Sequence, residues 1–207
     1  MRSRHKKWAL PYLEEHKEIV TVEKEEIGEF AHTSPLFLEV GCGKGDFILG
    51  MSSKLSGRFL GIEKESNVCA VMVKKLVEAE VTNVKILNED FDTAYEKIKD
   101  IKFDKIFLNF SDPWPKKKQH KRRLTSVSRL ELFGSLLKEE GMLVFKTDND
   151  SLYEDTLEYL EDVKSMKMVE NLPIYIFDET NDVMTEYERN FREQGKEIHK
   201  IVLKKEK

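Results

Sequence analysis

From Leu36 onward the chain alternates short apolar runs with longer segments of mixed polarity. Leu36–Val40, Arg58–Ile62, Val84–Leu87, Lys105–Phe110 and Met142–Lys146 have the length and content of buried strands. Asp46–Ser53, Asn67–Glu80, Thr93–Lys99, Val127–Glu139 and Leu152–Val163, lying between and after them, have helical spacing. Strands alternating with helices through short connections predict an α/β fold, a parallel sheet covered on both faces. The last third breaks the alternation. There, Ile174–Phe177 and Ile198–Leu203 read as strands that close the sheet by an antiparallel hairpin. Before Pro35 only Pro11–Val20 reads as a helix, and the rest is polar without a clear period.

The 207 residues fit one ordinary α/β domain, spanning 1–207 with a basic N-terminal extension over 1–34. With 40% apolar and 36% charged residues the chain reads as globular rather than disordered. No apolar run approaches the roughly 18 residues of a membrane span, so no membrane association is expected. The basic N-terminus is not followed by the apolar stretch of a signal peptide, and the expected location is the cytoplasm. Cys42 and Cys69 are too few for a disulfide framework. The histidines are scattered and none forms a His/Cys pair at ligand spacing, so no structural metal is expected.

The net charge of −4 does not announce a nucleic-acid binder, but its distribution changes that. Arg2, Arg4, His5, Lys6 and Lys7 form one basic cluster, and Lys116, Lys117, Lys118, His120, Lys121, Arg122 and Arg123 form another. A locally basic face on an acidic protein still attracts a polyanion, because screening removes distant charge within about 8–10 Å.

Three strand ends carry candidate chemistry. Gly41-Cys42-Gly43-Lys44-Gly45 follows the first strand, where a glycine turn lets a ligand approach the backbone and the free N–H groups of a helix start. The spacing is Gly-x-Gly-x-Gly, not the Gly-x-Gly-x-x-Gly of dinucleotide binders. Glu63 ends the second strand about 20 residues on, where such folds place an acid on ribose hydroxyls. Its two oxygens match a diol. Asp90, after the third strand, suits an adenine amino group or serves as an ordinary loop acid. Glu39 sits inside an apolar strand, where a carboxylate needs a partner. The cationic amino-acid end of S-adenosylmethionine would supply one, and neighbouring backbone amides are the alternative. An acid there would repel the pyrophosphate of a dinucleotide.

The fourth strand leads into Ser111-Asp112-Pro113-Trp114-Pro115. Prolines flanking Trp114 stiffen a loop that holds Asp112 beside a ring on which a base can stack. The basic run follows at once, and such side chains hold RNA by its phosphates.

Ser111–Lys116 with Lys121-Arg122-Arg123-Leu124-Thr125 resembles the bacterial tRNA (guanine-N7-)-methyltransferase family. So do Arg4-His5-Lys6, Leu38–Gly41, Gly61-Ile62-Glu63, Lys146-Thr147-Asp148-Asn149 and Thr185-Glu186-Tyr187-Glu188. The resemblance runs along nearly the whole chain. Its Asp-Pro-Trp and Lys-Arg-Arg stretch is specific to that family, whereas the glycine loop is common to many methyltransferases. The middle of the stretch between Trp8 and Leu36 matches no part of the pattern.

The resemblance implies a Rossmann-like S-adenosylmethionine-dependent methyltransferase fold, a seven-stranded mostly parallel sheet with an antiparallel C-terminal strand. It implies cofactor contacts at Glu39, Gly41, Gly43, Glu63, Asp90 and Asp112, with Asp112 nearest the chemistry. Lys116, Asp148, Thr185, Glu186, Tyr187 and Glu188 would meet the substrate. Lys118, Gln119, His120, Lys121, Arg122 and Arg123 would touch RNA. The expected reaction is methylation of N7 of a guanine in tRNA, the variable-loop guanine at tRNA position 46, by a monomer or homodimer. From the residues alone, three rivals stay open. They are a methyltransferase of the same fold acting on another substrate, such as an amino group of DNA or a small molecule, an NAD-dependent oxidoreductase and a non-catalytic RNA-binding relative.

Overall fold

A computed structural model describes residues 6–21, 23–32 and 34–206. The basic residues Arg2, Arg4 and His5 lie outside the described residues. Seven strands form one mixed sheet in the order β3-β2-β1-β4-β5-β7-β6. They are β1 Leu36–Val40, β2 Arg58–Ile62, β3 Val84–Leu87, β4 Phe103–Asn109, β5 Leu137–Thr147, β6 Met166–Leu172 and β7 His199–Lys205. The described helices are α1 Ala9–Glu15, α2 Lys24–Ala31, α3 Asp46–Lys54, α4 Ser66–Glu78, α5 Phe91–Ile98, α6 Val127–Leu136, α7 Asp150–Leu160 and α8 Glu186–Glu193. A 3-10 helix spans Lys117–Arg122. By contacts the chain divides into two compact units, Met1–Ile101 and Lys102–Lys207.

In the first unit, β1 pairs in parallel with β2, and β2 with β3, with Glu39 opposite Gly61. The strands are mostly apolar because both faces are covered, and Leu38, Phe59, Ile86 and Leu87 are fully buried. Helix α1 packs on α4, and α2 on α5. Helix α2 was not legible from the periodicity. Its apolar contribution reduces to Ile27 and Phe30, one helical step apart on a short charged segment. Helix α1 stops at Glu15, and the expected continuation to Val20 instead ends in a bridge from Val20 to Ile86.

In the second unit, β4 pairs in parallel with β5, whereas β7 runs antiparallel to both β5 and β6. Three expectations need correction here. Helix α6 ends at Leu136, because Leu137 already pairs with Phe103 and the chain then bulges before Met142 meets Lys105. Ile174–Phe177 is not a strand. The partner of β7 is Met166–Leu172, an edge strand whose exposed side chains hid its pattern. Ile-Tyr-Ile alternates because Tyr175 is buried while Ile174 and Ile176 face outward. The β6–β7 connection is therefore no tight hairpin, since it carries α8.

Candidate active site

In the first unit, the loop after β1 is held by backbone geometry. Gly41, Gly43 and Gly45 all take positive φ (81°, 56° and 81°), a region that side chains disfavour. Gly45 also lies so close to Met72 that a Cβ there would come within 2.4 Å of Met72 Cγ. A Cβ on Gly41 would meet nothing within 4 Å, which leaves open space over the loop. The loop amides of Gly41 and Cys42 donate to the Ile62 carbonyl at 2.8 and 3.2 Å, tying it to the end of β2.

The Glu63 carboxylate is buried there. One oxygen accepts from Gly43 N at 2.8 Å and the other from Glu65 N at 2.9 Å. Burial nevertheless raises its pKa above the usual carboxylate value, with the two amides pulling the other way. Glu39 is 2% exposed inside β1. The buried Cys42 thiol is pushed well up, first by burial and then by Glu39 and Glu63. Asn88 braces the end of β3, donating to the Glu63 carbonyl at 2.7 Å and accepting from Ser66 Oγ at 2.8 Å. Asp90 is exposed and caps α5. One of its oxygens accepts from Asp92 N and Thr93 N, and the other accepts from the Thr93 hydroxyl at 3.1 Å. These bonds, Thr93 N first, hold its pKa below the usual range.

In the second unit, Asp112 is exposed on the loop after β4, with Phe110 (φ 52°) and Trp114 (φ 40°) in left-handed backbone on either side. Such conformations cost a bulky residue about 1–3 kcal/mol and persist only where the surroundings enforce them. One face of Trp114 is taken by the Arg122 guanidinium, 5.2 Å from the ring centroid. Lys116, Lys117, Lys118, Lys121 and Arg122 are exposed on and before the 3-10 helix, whereas Gln119 and His120 are half-buried. Arg123, expected to touch RNA, has a buried side chain. Its Nε donates to the Pro113 carbonyl at 2.7 Å, and one terminal nitrogen donates to Asp155 and, at 3.0 Å, to the Tyr159 hydroxyl. That leaves no exposed cation for RNA at position 123.

Asp148 accepts from Lys196 at 2.7 Å and lines an open cavity of about 510 Å³ with Asn149, Asp150, Ser151, Lys196 and Glu197. Asn149 caps α7 by accepting from Leu152 N at 2.8 Å. Thr185 caps α8 by accepting from Glu188 N at 2.9 Å. Of Thr185–Glu188, Tyr187 is the exposed member, and its ring stacks 6.4 Å from Phe191. Glu188, expected to meet the substrate, is fully buried, where it accepts from Lys146 at 3.1 Å and from Arg192 at 2.7 Å. Lys146 also donates to Asp182 at 2.6 Å, and Asp182 accepts the Tyr175 hydroxyl at 2.9 Å.

The partners of the two buried cations escaped the reading of the sequence. A lysine closing the apolar run Met142–Phe145 was itself a signal, since a buried charge requires a counter-charge. The partners lie too far along the chain for spacing to reveal. Among the described residues no group of three or more His, Cys, Asp or Glu side chains is placed to hold a metal ion, and no helix is long and apolar enough to cross a membrane.

The fold aligns with those of solved methyltransferases. An antibiotic-related methyltransferase aligns with a TM-score of 0.62 at 14% identity, covering 89% of this chain and 94% of that one. An rRNA methylase from Streptococcus thermophilus aligns at 0.60 and 10% identity over the same shares. A Streptococcus mutans protein described as a methyltransferase in complex with SAH aligns at 0.59 and 10% identity, covering 89% and 99%. The fold is that of the S-adenosylmethionine-dependent methyltransferases. A family model described as "Putative methyltransferase" matches residues 33–201. Full-length relatives named tRNA (guanine-N(7)-)-methyltransferase are 36% identical in Staphylococcus haemolyticus, over 99% of this chain and 98% of that one, and 37% identical in Mesoplasma florum, over 99% of both. The chain belongs to the tRNA (guanine-N7-)-methyltransferase family of enzymes.

Proposed function

We propose that this chain methylates N7 of the variable-loop guanine of tRNA, using S-adenosylmethionine as donor. The observation that carries the reading is Asp112, exposed on a strained loop that leads directly into an exposed basic helix, in a chain of this family.

The residues of the first unit fit the cofactor. The open cradle over Gly41 admits a ligand against the backbone. Each Glu63 oxygen accepts a single amide hydrogen, leaving a second lone-pair site for a ribose hydroxyl. The Asp90 oxygen that accepts from Thr93 Oγ1 retains a lone-pair site for an adenine amino group. Glu39, buried in β1, offers the negative charge that an amino-acid ammonium requires. When bound, the cofactor supplies an electrophilic methyl group on a sulfonium.

Guanine N7 carries a free lone pair at neutral pH, so no base has to remove a proton before attack. The protein's task is orientation. Asp112 accepts hydrogen bonds from the N–H edge of guanine, fixing the ring and stabilising the positive charge that develops on it. A stacked guanine must first be exposed, at a cost of a few kcal/mol. Trp114 with Arg122 and the exposed lysines offset that cost by stacking and by phosphate contacts. A tRNA substrate implies a cytoplasmic enzyme.

The test is a tRNA transcript whose variable-loop guanine is replaced by adenine. Methyl acceptance should vanish while the parent transcript is methylated. Equal labelling of both transcripts would discard the position.

A further inference from the structure

The basic run reads in sequence as one RNA-binding unit, but its last member faces inward. We propose that Arg123 is a positioning residue. It clamps the Asp112 loop to α7 through Asp155 and Tyr159, and makes no contact with RNA. The inference rests on the reading of the Asp112 loop as the seat of the reaction.

The contacts are directional. Arg123 Nε donates to the carbonyl of Pro113, the residue between Asp112 and Trp114, at 2.7 Å. Its terminal nitrogen reaches Asp155 and, at 3.0 Å, the Tyr159 hydroxyl, one helical turn apart on α7. The side chain is 2% exposed, so the guanidinium is held by these acceptors instead of by water. Burying an arginine is costly unless it is paired and hydrogen-bonded, so an exposed RNA grip would have no use for this arrangement.

The loop it holds needs holding. Phe110 and Trp114 are both at positive φ, and a backbone so placed relaxes unless its surroundings fix it. Tyr159 also reaches His120 Nδ1 at 3.2 Å, and thereby ties the 3-10 helix to the same point on α7. A carboxylate and a phenol on α7, outside every recognised motif, thus set where Asp112 sits.

The test uses the full chain carrying Trp8→Phe, so that Trp114, the remaining tryptophan of two, reports the loop by its emission and its acrylamide quenching. Arg123→Lys and Asp155→Asn should lower kcat about 10- to 100-fold, the order of loss expected when a reacting group is displaced by about an ångström. They should also change Trp114 emission, while tRNA affinity and its salt dependence stay at the parent value. Tyr159→Phe, the mildest change and the one safest for folding, should move kcat and emission in the same direction by less. Lys118→Ala with Lys121→Ala should instead weaken tRNA binding and flatten its salt dependence while leaving Trp114 emission in the free protein at the parent value.

If Arg123→Lys and Asp155→Asn weaken tRNA binding and flatten its salt dependence at unchanged kcat, Arg123 is an RNA contact and the proposal is overturned. If Trp114 emission changes but kcat does not, the clamp stands and the loop's part in the reaction is what fails.

Discussion

The two compact units hold their candidate residues by different means. In the first, Glu63, Asp90 and the glycine loop are fixed by backbone amides a few residues away or on the adjoining strand. In the second, the Asp112 loop and the Thr185–Tyr187 segment are fixed by two buried cations, Arg123 and Lys146, whose side-chain acceptors lie 32 to 42 positions further along the chain. Backbone anchoring survives most substitutions of neighbouring side chains. Ion-pair anchoring depends on a few named groups, and removing one of them leaves charge buried and unpaired.

That contrast can be broken by substitution. Lys146→Ala should have the largest effect, because it strands Asp182 and part of Glu188 in the interior. A loss of about 3–5 kcal/mol in chemical denaturation is expected, and an unchanged midpoint would mean the cluster is not a fastener. Asp112→Ala should reduce methyl transfer about 10²- to 10³-fold, as loss of one preorganised electrostatic partner does elsewhere, with tRNA binding largely intact. Equal loss of both activities would remove it from the chemistry.

Smaller effects sharpen the comparison on the side of the first unit. Glu63→Gln should weaken S-adenosylmethionine binding about 10- to 100-fold by calorimetry, the value of hydrogen bonds to a charged acceptor. The pH dependence has a defined sign. Ionised Glu63 is the binding form and its pKa is raised by burial, so affinity is full at high pH. It falls as the pH drops through a value above the ordinary 4.5. In Glu63→Gln this dependence should flatten. Asp90→Ala should cost about 1 kcal/mol of stability through the lost cap of α5. Because the Asp90 pKa is lowered, that contribution is present at neutral pH and is lost only as the pH falls through the depressed value.

The same contrast decided what could be read from the sequence. Strands β1, β2 and β3 were legible to the residue, since each is an apolar run bounded by turn residues and buried on both faces. The glycine loop and Glu63 followed from their position at strand ends. Strand β6 was hidden because it lies at the sheet edge with most of its side chains exposed, so no apolar pattern marks it. The burial of Arg123 and Glu188 was hidden for another reason. An arginine in a basic run and a glutamate at a helix start look solvated, and only tertiary contacts with α7 and β5 turn them inward.

The most direct measurement is transfer of labelled methyl from S-adenosylmethionine to unmodified tRNA, followed by separation of the product nucleosides. A single labelled product, 7-methylguanosine, is expected, formed about 10²- to 10³-fold more slowly with Asp112→Ala. Label in an amino-methylated nucleoside, or none in tRNA despite cofactor binding, would contradict it.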